Sequence, residues 1–182
     1  MNNSDRKRRQ FRKLTRENWR QFDETWPFVW TKGDGSPDRL TPDDFAALFL
    51  ECELCEGVPD DVRNLFEVAR GVMCYGGLFY PAYTVGHDQL YKVLEAAVSH
   101  KCEQLQAPNS LKRYNDKINW LHEREVLTEE LHERWQGARA VRNMTSHVKR
   151  QWIISPDMAL SSLSLVRFLI HSLFAQDAED SS

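Results

Sequence analysis

Apolar residues recur at intervals of three and four along most of this chain. Leu90, Leu94, Val98, Cys102 and Leu105 form one such stripe, which predicts a long helix from about Val85 to Leu105 with one buried face. The same interval runs through Ile118 and Leu121, through Leu131, Trp135 and Ala138, and through Leu160, Leu163, Val166 and Ile170. Local punctuation separates these stretches. Thr41-Pro42-Asp43-Asp44 supplies an N-cap, a proline at the first helical position and acids in the first turn, so a helix opens there and runs to near Gly57. Pro59-Asp60-Asp61 opens another, to about Cys74; Gly76-Gly77 breaks it, and Pro81 keeps the next residues irregular. Pro108-Asn109-Ser110 ends the long helix and caps the next, which buries Leu111, Tyr114, Ile118 and Leu121. Thr128-Glu129-Glu130 and Ser155-Pro156-Asp157 open the last two. Trp152-Ile153-Ile154 is the one short apolar run with strand character. Short connections favour antiparallel neighbours. The expectation is an all-α, antiparallel helical bundle of four to five helices with an extra N-terminal helical extension.

Charge divides the chain. The first 20 residues carry eight Lys and Arg against two Asp and Glu; the remainder is net acidic. Residues 1–59 read as a basic, aromatic extension, 60–176 as the bundle and 177–182 as an acidic tail, with residues 31–39 as the best linker. Arg6, Lys7, Arg8, Arg9, Arg12 and Lys13 suit RNA phosphates. Trp19, Phe22, Trp26, Phe28 and Trp30 follow and suit stacking on bases. The helical spacing of 19, 22 and 26 favours another use, a helix that docks its aromatics on the bundle and leaves its charges in water.

No apolar stretch approaches the ~20 residues of a membrane span. The best, Leu163 to Phe174, is interrupted by Ser164, Arg167, His171 and Ser172. No apolar segment follows the basic N-terminus as in a secretory signal. A cytoplasmic location without membrane contact is expected. Cys52 and Cys55 make a lone C-x2-C without a second pair of ligands, so all four cysteines are expected to be ordinary buried thiols. No metal or cofactor is expected. His100, His122, His132 and His171 are expected at surfaces or interfaces.

The residues best suited to chemistry stand late in the penultimate helix: Arg139, Arg142, Asn143, Ser146, His147 and Arg150. Histidine exchanges a proton near neutral pH. Arginine holds a phosphate bidentately and stabilises charge that develops on it. Asparagine orients an imidazole or donates to a phosphate oxygen. No nearby carboxylate cluster suggests Mg²⁺, so attack by the RNA's own 2′-OH fits this inventory best. One geometric condition applies. Arg142 and His147 are five residues apart, about 140° round a helix axis. Either the helix ends or kinks near Thr145-Ser146, or Arg142 reaches round, or a second subunit completes the site.

The order of these features resembles the HEPN superfamily. From Asp116, a helix reading Ile-x2-Leu, a short turn and a leucine-bearing helix lead to Arg142-Asn143-x3-His147. Leu90-Tyr-Lys-Val-Leu-Glu-Ala-Ala-Val98 resembles the family's long early helix. The resemblance covers roughly residues 60–176. It implies a bundle that dimerises and brings the Arg and His of both subunits into one cleft. It implies a metal-independent endoribonuclease of toxin–antitoxin, phage-defence or RNA-processing systems that leaves a 2′,3′-cyclic phosphate. Arg142 would polarise the phosphate, His147 would be the acid/base, and Asn143 would support both. The implied partners are RNA, a second copy of the chain and an antitoxin or effector protein. The alternative is a non-catalytic binding or regulatory module partnering a nucleotidyltransferase or larger effector. Tyr83, His87, Tyr91 and Glu95 stand at i, i+4, i+8 and i+12, as a solvated or dimer-packing face or as one wall of the cleft, where some HEPN members carry an acid; Glu95 is the supporting candidate there.

Overall fold

Thr41 and Asp44 cap the first helix, α1 (Pro42–Leu50), reciprocally. The Asp44 N–H donates to the Thr41 hydroxyl at 3.2 Å, and the Thr41 N–H donates to the Asp44 carboxylate at 2.8 Å. The Thr41 hydroxyl first, and the backbone bond after it, hold the Asp44 carboxyl below the usual range. The computed structural model describes residues 11–23, 30–31, 37–38, 41–146 and 153–179. Within them, α1 stops at Leu50 instead of running to Gly57. The cause is tertiary. Buried Arg70 donates from Nη1 to the carbonyls of Leu50 at 2.9 Å and Cys52 at 3.4 Å. Carbonyls at a helix C-terminus lack intrahelical donors and welcome a cation. Glu67 at 2.6 Å and Glu53 at 3.3 Å balance the guanidinium.

Helix α2 (Asp60–Cys74) starts after Pro59 as expected and buries Val62, Phe66, Ala69 and Met73. A 3-10 turn, Tyr75–Gly77, follows. Helix α3 (Pro81–Gln104) begins four residues before Val85, which corrects the irregular stretch expected after Pro81. Proline at the first helical position gives up only an N–H that has no partner there. Asp23 reinforces the start, because its carboxylate accepts the Tyr80 N–H at 3.1 Å while its own N–H donates to the Gly77 carbonyl at 2.9 Å. Gly86 lets α3 press on α2: a Cβ there would lie 2.9 Å from the Ala69 carbonyl oxygen and 2.5 Å from Met73 Cγ.

Helix α3 ends with Gln106 at φ 54° and the Ala107 N–H on the Cys102 carbonyl at 2.8 Å. Leu105, expected on the buried stripe, is exposed. Helix α4 (Tyr114–Glu123) has Arg113 at its N-cap, so Pro108-Asn109-Ser110 does not cap it and Leu111 precedes it. It closes the same way as α3, with Glu125 at φ 60° and the Val126 N–H on the Leu121 carbonyl at 3.0 Å. Helix α5 is Glu129–Ser146, and α6 is Pro156–Glu179, three residues into the expected acidic tail. Ile153 and Ile154 are not strand.

The architecture is an all-α helical bundle in which α3 touches α2, α4, α5 and α6. Phe49, Cys52 and Val58 share one core with Leu94, Leu121, Trp135 and Leu163, so that core crosses the boundary expected at residue 59. Across the expected linker, Trp30–Thr31 pairs antiparallel with Pro37–Asp38. The expected helix through Trp19 and Phe22 is replaced by a turn at 16–20 and irregular chain at 22–23, and Trp19 is exposed with the Arg20 guanidinium over its ring. Trp26 and Phe28 lie outside the described residues. Cys52 and Cys102 are buried, but Cys55 is exposed and Cys74 half-buried, which corrects the expectation of four buried thiols. Helix α6 also corrects the count of apolar stretches. By length and composition, Pro156–Ala175 suffices to cross a membrane (mean hydropathy 1.5). In this fold it buries Ala159, Leu163, Val166, Ile170 and Leu173 in the core.

Candidate functional site

Helix α5 carries the expected site residues in its last turns. It is helical through Thr145 and Ser146, so no break falls before Ser146. Backbone positions 139 and 143 stand one turn apart, as do 142 and 146. The half-buried Arg139 donates from Nε to Gln136 Oε1 at 2.8 Å. Of Arg142, Asn143 and Ser146 the backbone is described; His147 and Arg150 lie outside the described residues. The chain resumes beside α3, where the Ile154 N–H donates to the Thr84 hydroxyl at 3.4 Å.

The α3 stripe is less solvated than a free face. Tyr83 and His87 are buried, and Tyr91 and Glu95 are half-buried. Tyr91 packs edge-on against His87 at 5.2 Å, with its hydroxyl 3.5 Å from His87 Nε2. Burial pushes the His87 imidazole below its usual range, against the pull of Asp88. Burial, and then Arg167, lower His171 in the same direction. His171 Nε2 accepts the Cys55 N–H at 3.1 Å, which requires an unprotonated nitrogen.

A pH dependence follows. Both pKa values are lower in the folded chain, so the unfolded chain binds more protons between the two values. The stabilisation is present above the unfolded value of about 6.5 and is lost as pH falls through the lowered folded values. Melting temperatures are expected to drop on acidification across that window, and to drop less in His87→Phe. A melting temperature that rises with acidification would contradict this account.

Of the cations expected to bind phosphate, Arg6, Lys7, Arg8 and Arg9 lie outside the described residues. Lys13 is exposed. Arg12 is engaged internally: its guanidinium donates to the carbonyls of Phe22 and Gln21, each at 2.9 Å, and to that of Asn18. It folds residues 11–23 into a closed loop instead of presenting a free charge.

The α4–α5 hairpin gathers a polar cluster that sequence reasoning missed. His122 and His132 were expected at surfaces or interfaces. Their rings stack at 4.4 Å, inclined by 13°. His122 Nδ1 lies 2.9 Å from the Leu127 carbonyl, and its Nε2 lies 3.3 Å from Glu129 Oε2. His132 Nε2 lies 3.0 Å from Asn119 Oδ1, which also accepts from Gln136 Nε2 at 2.9 Å. Gln136 in turn accepts from Arg139, so the cluster is hydrogen-bonded to an expected site residue. The only local signal was Glu129-x2-His132 on the first turn of α5; His122 joins through the bend at Glu125.

Compared with models of known families, with curated proteins and with solved structures, the chain matches none.

Proposed function

We propose that this chain is a metal-independent endoribonuclease of HEPN type, acting as a homodimer in a toxin or phage-defence system. The observation that carries the reading is the sequence string Arg142-Asn143-x3-His147, whose Arg142 and Asn143 stand on the last turns of α5, in an all-α bundle. Helix order supports it: a long central α3, a short α4, then α5 and a closing α6. Exposed Val141 on α5 and Met158 and Phe168 on α6 offer apolar area for a second copy.

The chemistry asks little beyond these residues. The 2′-oxygen attacks phosphorus and gives up its proton, the 5′-oxygen leaves and takes one, and a 2′,3′-cyclic phosphate and a 5′-hydroxyl remain. His147 exchanges the protons. Arg142 neutralises charge on the non-bridging oxygens, and Asn143 orients one or the other.

The test is cleavage of labelled RNA by the full chain in excess EDTA, with the product ends analysed. Cleavage that persists and leaves cyclic phosphate ends is expected. Cleavage that needs Mg²⁺, or that leaves 3′-hydroxyl ends, overturns the reading.

A further inference from the structure

We propose that His122, Glu129 and His132 form a site for a zinc-type divalent cation that clips α4 to α5. This goes beyond the ribonuclease reading and does not depend on it. The argument begins with hydrogen positions. A carbonyl oxygen only accepts, so in the 2.9 Å contact to Leu127 the His122 Nδ1 is the donor, which leaves Nε2 as the nitrogen that can meet a ligand. That Nε2 faces the Glu129 carboxylate at 3.3 Å. An imidazole nitrogen and a carboxylate so placed share a cation between them, a proton or a metal ion. His132 has the matching arrangement. Asn119 Oδ1 takes its Nε2–H, which leaves Nδ1 as the free donor atom.

The three side chains bring ligand atoms within 4.8 Å of one another. Zinc–ligand distances near 2.0–2.1 Å give a tetrahedral edge of about 3.3 Å, the separation already present between His122 and Glu129. His132 completes the set, with its ligand atom within 4.8 Å of the other two. Two imidazoles and a carboxylate suit zinc and its neighbours, whereas Mg²⁺ and Ca²⁺ prefer an all-oxygen shell.

The surroundings resemble the outer shell of a metal site. Each ring has its second nitrogen held, one by a backbone carbonyl and one by an amide, which fixes tautomer and orientation. The turn between the ligands is rigid as well. Glu125 adopts φ 60°, and the Val126 N–H and Leu127 N–H both reach back to the Leu121 carbonyl, at 3.0 and 3.4 Å. Leu127, whose carbonyl holds His122, is itself fully buried. The three ligands occupy an open face, with Glu129 exposed and both histidines half-buried, so an ion has access and room for water as its fourth ligand.

Zn²⁺ alone is the probe, titrated calorimetrically into the full chain. One saturable site is expected, with a rise in melting temperature, because the ion binds the folded hairpin and not the unfolded chain. Binding should weaken as pH falls, since protons compete for the imidazoles. His132→Ala should weaken it by more than the roughly 10–100-fold that loss of an outer-shell partner costs. Glu129→Gln keeps the shape of an exposed side chain and holds the fold should His132→Ala not. It should lower affinity, and it should alter the visible spectrum of the Co²⁺-substituted chain. No saturable binding, or affinity unchanged in both variants, overturns the site; a proton alone would then bridge His122 and Glu129. Cleavage in EDTA is a separate readout, so failure here and failure of the ribonuclease reading are distinguishable.

Discussion

His147→Ala is expected to lower RNA cleavage by about 10²–10⁴-fold, the contribution of a positioned acid/base, while helical content and melting temperature stay within error of the parent. In the proposed reaction the 2′-hydroxyl is a poor nucleophile and the 5′-alkoxide a poor leaving group. Each needs a proton moved in the transition state. An imidazole titrates close enough to neutrality to serve both needs. Arg142→Ala is expected to fall by a similar factor for a different reason, the loss of charge neutralisation on phosphorus. Arg142→Lys should recover little, because an ammonium cannot hold two phosphate oxygens in the plane of a guanidinium. Chain-length profiles of the cleaved RNA, circular dichroism and thermal melts on the same preparations separate the two effects. Cleavage that survives both alanine variants removes the catalytic assignment, whatever the fold.

Trp135→Ala is expected to have the largest effect on stability, about 3–5 kcal/mol, by the usual cost of removing a large aromatic from a core. Trp135 is fully buried. It stands in the middle of α5, with Ala138 one turn further on and Leu127 before the helix, and all three belong to the main core. Among the described side chains of α5 few others of this size fasten it, since Leu131 is only half-buried and Val141 is exposed. Over that part of the helix Trp135 is therefore the main anchor. For a chain of this size the loss corresponds to a fall in melting temperature of roughly 6–20 °C. Trp135→Phe keeps most of the apolar volume and should recover the larger part. An unfolding free energy from denaturant titration that falls by less than about 1 kcal/mol in Trp135→Ala would show that α5 is held elsewhere.

These two variants also separate site from scaffold. His147→Ala should remove activity and leave the fold; Trp135→Ala should weaken the fold and carry the activity with it. A residue that failed both tests would belong to neither.

Much of the helical layout was legible because its causes are local. A cap bonds to an N–H two or three residues away, and an apolar stripe depends on neighbours at i+3 and i+4. Thr41, Asp60 and Pro156 therefore marked their helices correctly, and Ile118, Leu121, Trp135, Leu163, Val166 and Ile170 lie in the core as their spacing required. The order of helices and the position of Arg139, Arg142, Asn143 and Ser146 within α5 could be read in the same way. Other features have no local cause. The end of α1 is set by Arg70, 20 residues away from Leu50, and the start of α3 by Asp23, 57 residues away from Tyr80. Gln106 and Glu125 take left-handed backbone at helix ends where no glycine advertises it. The bend at Glu125 then brings His122 against Glu129 and His132, which no single helix face could assemble. By itself the sequence determined which stretches coil and which side of each coil is apolar, because periodic burial needs only neighbours. Tertiary structure alone decided where α1 stops and α3 starts and which polar side chains meet, because those depend on bonds between residues that only packing brings together.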